Sequence, residues 1–338
     1  MPEPQAVLAP LTESAVFLTL VIEPGGEAAV HDLLPDVGGM IRSVGFRMPE
    51  EGLTCVLGIG SDAWDRLFAG PRPAHLHPFR ELTGERHHAP ATPGDLFLHI
   101  RARRTYPCFE LARRIVAAFG PAARVVDEVQ GFRYFDRRDL LGFVDGTENP
   151  TGRAASDAVL VGDEDPDFAG GSYLMVQKYL HDLDAWSAMT VEERELAIGR
   201  RMLDDVELDD ATKPTDSHVA LTTIEEPDGT EREILRDNMP FGSIAAGEYG
   251  TYFAGYAADP RVTELMLTRM VVGDSPGHSD RILEVSRAVT GGLFFVPTAD
   301  LLDDPPPLPE PAEPAAAAPA DPPAVHAGLG IGGLRGPR

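Results

Sequence analysis

Cysteine is nearly absent from this chain: two residues in 338, Cys55 and Cys108, far apart and in no C-x-x-C pair. That excludes a disulfide scaffold and a cysteine-built zinc centre. Two isolated thiols read as small buried apolar residues. Basic residues are also scarce, with 29 Lys and Arg against 54 Asp and Glu and a net charge of −25. A surface of that sign does not hold phosphates, so nucleic acid is excluded as the main partner. Cations, metal ions and neutral organic molecules remain open, and much of the charge reads as a solvated acidic surface. Long apolar runs are missing. The longest, such as residues 15–22, fall far short of a bilayer span. The first fifteen residues hold no Lys or Arg, no long apolar stretch and no twin-arginine pair. The expectation is a cytoplasmic protein without a membrane partner.

What is present reads as one element order stated twice. Residues 15–22 are β-rich and 26–41 helical; 53–59 are β-rich again, and Ser61 opens a short helix holding Trp64 and Phe68. Residues 95–101 are a third strand, 107–119 a helix with Leu111, Ile115 and Phe119 on one face, and 124–134 a fourth strand. This is the β-α-β-β-α-β order of the split βαβ, or ferredoxin-like, unit. Later come a strand at 172–180, a helix at 191–203 from a Thr190 capping box, short strands at 233–236 and 248–256, a helix at 260–271 and a strand at 292–296. The fold class is therefore α+β, two ferredoxin-like domains with antiparallel sheets, over residues 1–135 and 136–302.

From Asp303 the composition changes to Pro, Ala, Glu and Asp, which cannot bury a core; 303–326 reads as a flexible linker. The terminal 327–338 sets Leu329, Ile331 and Leu334 as isolated apolar residues among glycines. It resembles the L-G-I-G-S-L-K peptide that docks cargo inside encapsulin shells, with Gly333 for serine and Arg335 for lysine.

Residues 142–152 carry Asp145 between Gly142 and Gly146, then Glu148 and Asn149, closed by Pro150 and Gly152. Composition alone makes this a turn. Its eleven residues, however, closely resemble the G-x-x-D-G segment of dye-decolourising haem peroxidases. The likeness extends over almost the whole chain and is densest across 140–298, and the missing export signal and compact loops resemble the bacterial P-type (formerly B-type) subgroup. The resemblance implies haem b in the C-terminal domain, hydrogen peroxide as substrate, and reaction through compound I with dyes, phenolics or Mn(II) as reductant. It implies a homo-oligomer and, through the tail, a place in an encapsulin compartment with its shell protein as partner.

Among ten histidines, His87 and His88 lie in a polar loop, and His31, His99 and His181 fall on or beside regular elements. His218 stands where a polar stretch hands over to Val219-Ala220-Leu221, and its segment resembles the family's proximal-histidine region. By the same likeness it is the axial ligand to haem iron, and Asp280 is the partner of its other ring nitrogen. Spacing alone makes Asp280 a helix N-cap, and it can be both. Asp145, Arg236 and Asn238 match the family's distal, catalytic residues, with Asp145 as proton shuttle and Arg236 acting by charge. Gly146, Glu148 and Asn149 join His218 and Asp280 as the implied haem-binding set. Glu148, Glu207 and Glu231 resemble acids discussed for manganese, whose hard character suits carboxylates. Trp64, Trp186 and the seven tyrosines are candidate electron routes to bulky substrates. Rival readings are a haem carrier or iron-releasing protein of the same fold, a non-enzymatic ferredoxin-like binding module, and a chlorite-dismutase-type relative, which lacks the G-x-x-D-G segment.

Overall fold

The computed structural model describes residues 2–310 except Thr147 and Pro276. Its first half runs β1 (Ser14–Ile22), α1 (Glu27–Gly45), β2 (Thr54–Gly60), α2 (Ser61–Leu67), β3 (Leu96–Ala102), α3 (Thr105–Phe119) and β4 (Ala123–Phe132). In space the strands lie β2-β3-β1-β4, all antiparallel. The second half contains α4 (Gly152–Val159), β5 (Ser172–His181), α5 (Leu183–Ala188), α6 (Val191–Ile198), α7 (His218–Thr222), β6 (Leu235–Arg236), β7 (Met239–Ser243) and β8 (Glu248–Ala257). It ends with α8 (Pro260–Val271), β9 (Ser286–Ala288), β10 (Gly292–Val296) and α9 (Ala299–Asp303). Here β6 and β7 pair with successive stretches of one edge of β8, and β5 and then β10 follow on its other side. Both halves therefore have the ferredoxin-like order expected from periodicity. Pairing of β10 with β2, Phe294 opposite Gly60, joins them into one ten-stranded sheet.

The two faces of each strand have different tasks, because side chains alternate with period two. On β3, Leu96, Leu98 and Ile100 lie in the core beneath the N-terminal helices. Phe97 faces the opposite side and joins the core between the two halves of the folded-over sheet. The sheet folds over so that Tyr252 of β8 stacks on Phe17 of β1 at 4.3 Å between ring centroids. Trp64 is a buried edge-on neighbour of Phe295 rather than a surface residue.

Some boundaries differ from expectation. The helix expected over 191–203 stops at Ile198 because Gly199 turns left-handed, φ 96°. The strand expected at 233–236 is β6, and β7 continues its edge. Helix α1 runs to Gly45 with Pro35 inside it. The linker expected from 303 begins docked rather than loose: Ala69 N–H donates to Pro307 O at 2.7 Å, and His31 Nε2 to Pro306 O at 2.7 Å. The rest of that stretch from 311, and the 327–338 tail, lie outside the described residues.

Candidate active site

A cavity of about 700 Å³ opens against the outer face of the C-terminal sheet, a size suited to a cofactor. Its floor is one face of β5: Met175, Gln177, Tyr179 and His181. Phe253, Met266, Leu267, Met270 and Ile282 make much of the wall apolar. None of the lining residues comes from before Asp139.

His218 reaches this cavity from the first turn of α7, whose N-cap Ser217 accepts the Ala220 N–H. Its Nδ1 lies 2.7 Å from Oδ2 of the fully buried Asp280. The carboxylate only accepts, so Nδ1 carries the proton and Nε2 keeps the lone pair a metal needs. The other oxygen of Asp280 accepts the Ile282 N–H at 3.0 Å and caps the 3-10 turn Arg281–Glu284. The residue is thus both partner and cap, as its sequence position allowed.

Asp145, Arg236 and Asn238 line the same cavity although 91 residues separate the first two. Asp145 sits in a strained loop. Its N–H donates to the Arg137 carbonyl at 3.1 Å, and Asp136 and Arg137 hold positive φ of 52° and 62°. Gly146 follows at φ 80°, where a side chain would be strained. Asn238 Nδ2 donates to Asp145 Oδ1 at 3.3 Å, while Asn238 Oδ1 accepts from Ala254 N–H at 3.3 Å. Burial pushes the Asp145 carboxyl above its ordinary range; Arg236 and the Asn238 bond draw it back. Burial lowers the Arg236 guanidinium from its ordinary value, opposed chiefly by Asp145.

The remaining expected residues separate. Gly146 and Glu148 line the cavity. Glu148 is exposed and pairs with Arg200 at 2.5 Å. Asn149 is a clamp: its amide donates to Arg236 O at 2.7 Å and accepts Arg236 N–H at 2.9 Å, as a strand partner would. Glu207 and Glu231 lie on the rim, Glu207 held by Lys213. Burial, then Glu233 and Glu148, raise the Glu231 carboxyl. Among the described residues no group of three or more His, Cys, Asp or Glu is arranged to hold a metal ion. Trp186 is buried, donating to Leu141 O.

Sequence reasoning missed several residues here. Asp139 lines the cavity, accepts the Leu141 and Phe143 N–H groups, and is pushed up to about 7 by burial and then by Asp145. Gln177 is buried in the floor, and its Nε2 has no partner. His181 lies between Ser286 and Thr251 hydroxyls, and burial lowers it to about 4. Nothing in their local sequence marks them; only the period-two face of β5 places the last two together.

Apolar walls, an imidazole with one nitrogen oriented by Asp280, an orphaned buried amide, and cations at the rim (Arg200, Lys213, Arg232, Arg269) fit a flat macrocycle with acidic side arms and a central metal. Comparisons with known proteins agree. The chain matches the profiles "Dyp-type peroxidase, N-terminal" over residues 4–133 and "Dyp-type peroxidase, C-terminal" over 136–301. It belongs to the Dyp-type peroxidase family. It is 60% identical over 334 residues to a dye-decolorizing peroxidase of Mycolicibacterium paratuberculosis, covering 99% of this chain and 93% of that one. It is 61% identical, TM-score 0.90, to the encapsulated DyP-type peroxidase of Mycobacterium smegmatis, covering 91% of this chain and 100% of that one. Variants of DypB from Rhodococcus jostii, one solved with heme and one with manganese, are 57% identical with TM-score 0.87, covering 89% of this chain and 98% of theirs.

Proposed function

We propose that the chain holds one b-type haem in the cavity, where His218 Nε2 would hold its iron, and reduces hydrogen peroxide there at the expense of an organic reductant or Mn(II). As a member of its family the chain is a haem-dependent peroxidase. The observation that carries the residue assignment is the convergence of the His218–Asp280 pair with Asp145, Arg236 and Asn238 on one cavity. Haem, when bound, supplies the iron at which peroxide is reduced and through which the reductants are oxidised. The protein's part is proton handling and charge. Asp145 takes the proton from one peroxide oxygen and returns it to the other, so that two water molecules leave after two electrons and two protons are consumed. Its raised proton affinity suits it to that exchange. Arg236 stays protonated and meets developing negative charge. Asn238 and the Arg137 carbonyl hold Asp145, Asn149 holds the Arg236 backbone, and Asp280 orients the His218 ring. Gly146 and Glu148 border the bound group.

The carboxylates Glu148, Glu207 and Glu231 at the rim support Mn(II) as one reductant. Exposed Phe135, Leu203 and Ile244 support association of copies. The spaced anchors Leu329, Ile331 and Leu334 support delivery into a cytoplasmic encapsulin compartment, where several weak tails act together.

Steady-state peroxide consumption by the haem-loaded chain, with a dye or Mn(II), tests the enzymatic reading. Turnover no faster than free haem gives favours the haem carrier. Deleting residues 327–338 should leave turnover intact and abolish packaging on co-expression with a shell protein. Truncated enzyme still recovered inside shells removes the tail as address.

A further inference from the structure

Arg236 and Asn238 face the cavity, so Asp237 between them must face the other way. It points into the core between the two halves of the folded-over sheet, where it is fully buried. There its Oδ2 accepts from Arg101 Nη1, a fully buried guanidinium on β3 of the N-terminal half, whose Nη2 donates to Ala6 O. His99, also on β3, places Nε2 3.9 Å from the same carboxylate oxygen and bonds Tyr256 OH through Nδ1 at 2.8 Å. The backbone records this crossing. Asp237 N–H donates to Ala254 O at 2.9 Å in register with β6 and β7, but Ala254 N–H turns to the Asn238 side chain. The strand is broken at the two residues where the ion pair and the Asp145 contact originate. A buried ion pair contributes little net stability beside a well-packed apolar pair, but removing one partner alone leaves a buried charge uncompensated and is strongly destabilising.

We propose that Asp237, gripped by Arg101, is a positioning residue for the distal group: the pair locks the strand so that Arg236 and Asn238 are aimed at the cavity, and the N-terminal half thereby sets peroxide chemistry although it lines none of the cavity. The proposal rests on the distal reading given above. Asp237 also acts by charge, being among the groups that raise the Asp145 carboxyl. The charged and titratable groups around Asp145 are Arg236 and Asp237 from the strand and Asp139 from the loop, with Asn238 as hydrogen-bond donor.

The test uses the haem-loaded full chain in four forms: Asp237→Asn, the paired Arg101→Met/Asp237→Leu, Arg236→Leu, and Arg236→Leu with Asp237→Asn. The paired form leaves no unpaired buried charge, so it folds even where the single one does not. Expected for the paired form are unchanged haem occupancy, peroxide reaction slowed about 10- to 100-fold in stopped flow, and faster hydrogen exchange at the Asp237 and Ala254 amides. Asp237→Asn should move the acid limb of the peroxide reaction to lower pH, because Asp145 loses a neighbour that raises it. Added to Arg236→Leu, Asp237→Asn should slow the reaction by less than it does in the parent, because one of the two side chains it aims is already gone. Parent-rate reaction in the paired form overturns the proposal, as does slowing without faster exchange at those two amides. Loss of haem from the paired form also overturns it, since the effect is assigned to the distal strand alone. A parent rate in Arg236→Leu sinks the distal reading itself, and the exchange measurement then decides the positioning claim.

Discussion

In the N-terminal half the crossover from β1 to β2 carries one 19-residue helix, α1. In the C-terminal half the crossover from β5 to β6 is cut into α5, α6 and α7, of six, eight and five residues. The strand order is the same, but the outcome differs. Helices α1 and α3 lay a continuous apolar face on Leu18, Leu20, Leu98 and Ile100 and fill the space above the first sheet. Over the second sheet the broken crossover leaves the cavity, and His218 stands at the start of its last fragment. A helix interrupted over a sheet leaves an open cavity, and the strand below it exchanges leucines for Gln177, Tyr179 and His181. The intact half is left with structural work, which includes holding Asp237 from behind.

The largest expected effect tests whether that broken crossover is the haem side at all. His218→Ala removes the one nitrogen the geometry presents, and haem retention should be lost or severely weakened. Absorbance in the Soret region per chain, after gel filtration with excess haem, measures it. Full occupancy with an unchanged spectrum would place the ligand elsewhere.

A second expectation sharpens the contrast between a filled and an unfilled layer. Leu98 is fully buried under the N-terminal helices, while Met175 borders the cavity. Leu98→Ala should cost about 2–5 kcal/mol, as large-to-small changes in a packed core do. Met175→Ala in the haem-free chain should sit at or below the bottom of that range, roughly 1–2 kcal/mol, because a void already exists there. Urea titration of both variants checks it. Equal losses would show that the cavity wall is as tightly packed as the N-terminal core.

The sequence disclosed the filled half more fully than the open one, for physical reasons. Amphipathic helices and alternating strands announce themselves through period, so α3 and the N-terminal strand order follow from Leu111, Ile115 and the β-rich runs. The second half shows its strands equally well. Its distinguishing feature is a space, and periodicity does not report a missing helix. His218 and Asp145 were legible through local context and family likeness, since each sits in a short, characteristic segment. Asp139 was not, since its importance comes from a loop that folds it towards Asp145. The Arg101–Asp237 pair joins residues 136 apart, and each reads locally as an ordinary strand or turn charge. The β10–β2 junction was invisible for the same reason, being a pairing of two edges.

The smallest expected effect lies in the loop itself. Asp139 in the folded chain titrates near 7, raised first by burial and then by Asp145, against an ordinary aspartate value of 3.8. The folded state therefore binds a proton more tightly than the unfolded state does. Between about pH 4 and 7 this carboxyl therefore contributes a stability that falls as pH rises, opposite in sign to the contribution of His181, whose lowered imidazole adds stability as pH rises above about 4. Asp139→Asn cannot ionise and should remove this contribution from the profile. The expected difference in the haem-free chain is about 1–2 kcal/mol, less than so large a displacement carries in full, because solvent reaches the cavity and the proton is shared with Asp145. Urea titrations at pH 4.5 and 7.5, parent against variant, measure it. A variant profile with the same slope as the parent's over this range would show that Asp139 is already ionised near pH 4. The loop would then hold an ionised Asp139, and Asp145 alone would be left to take up a proton.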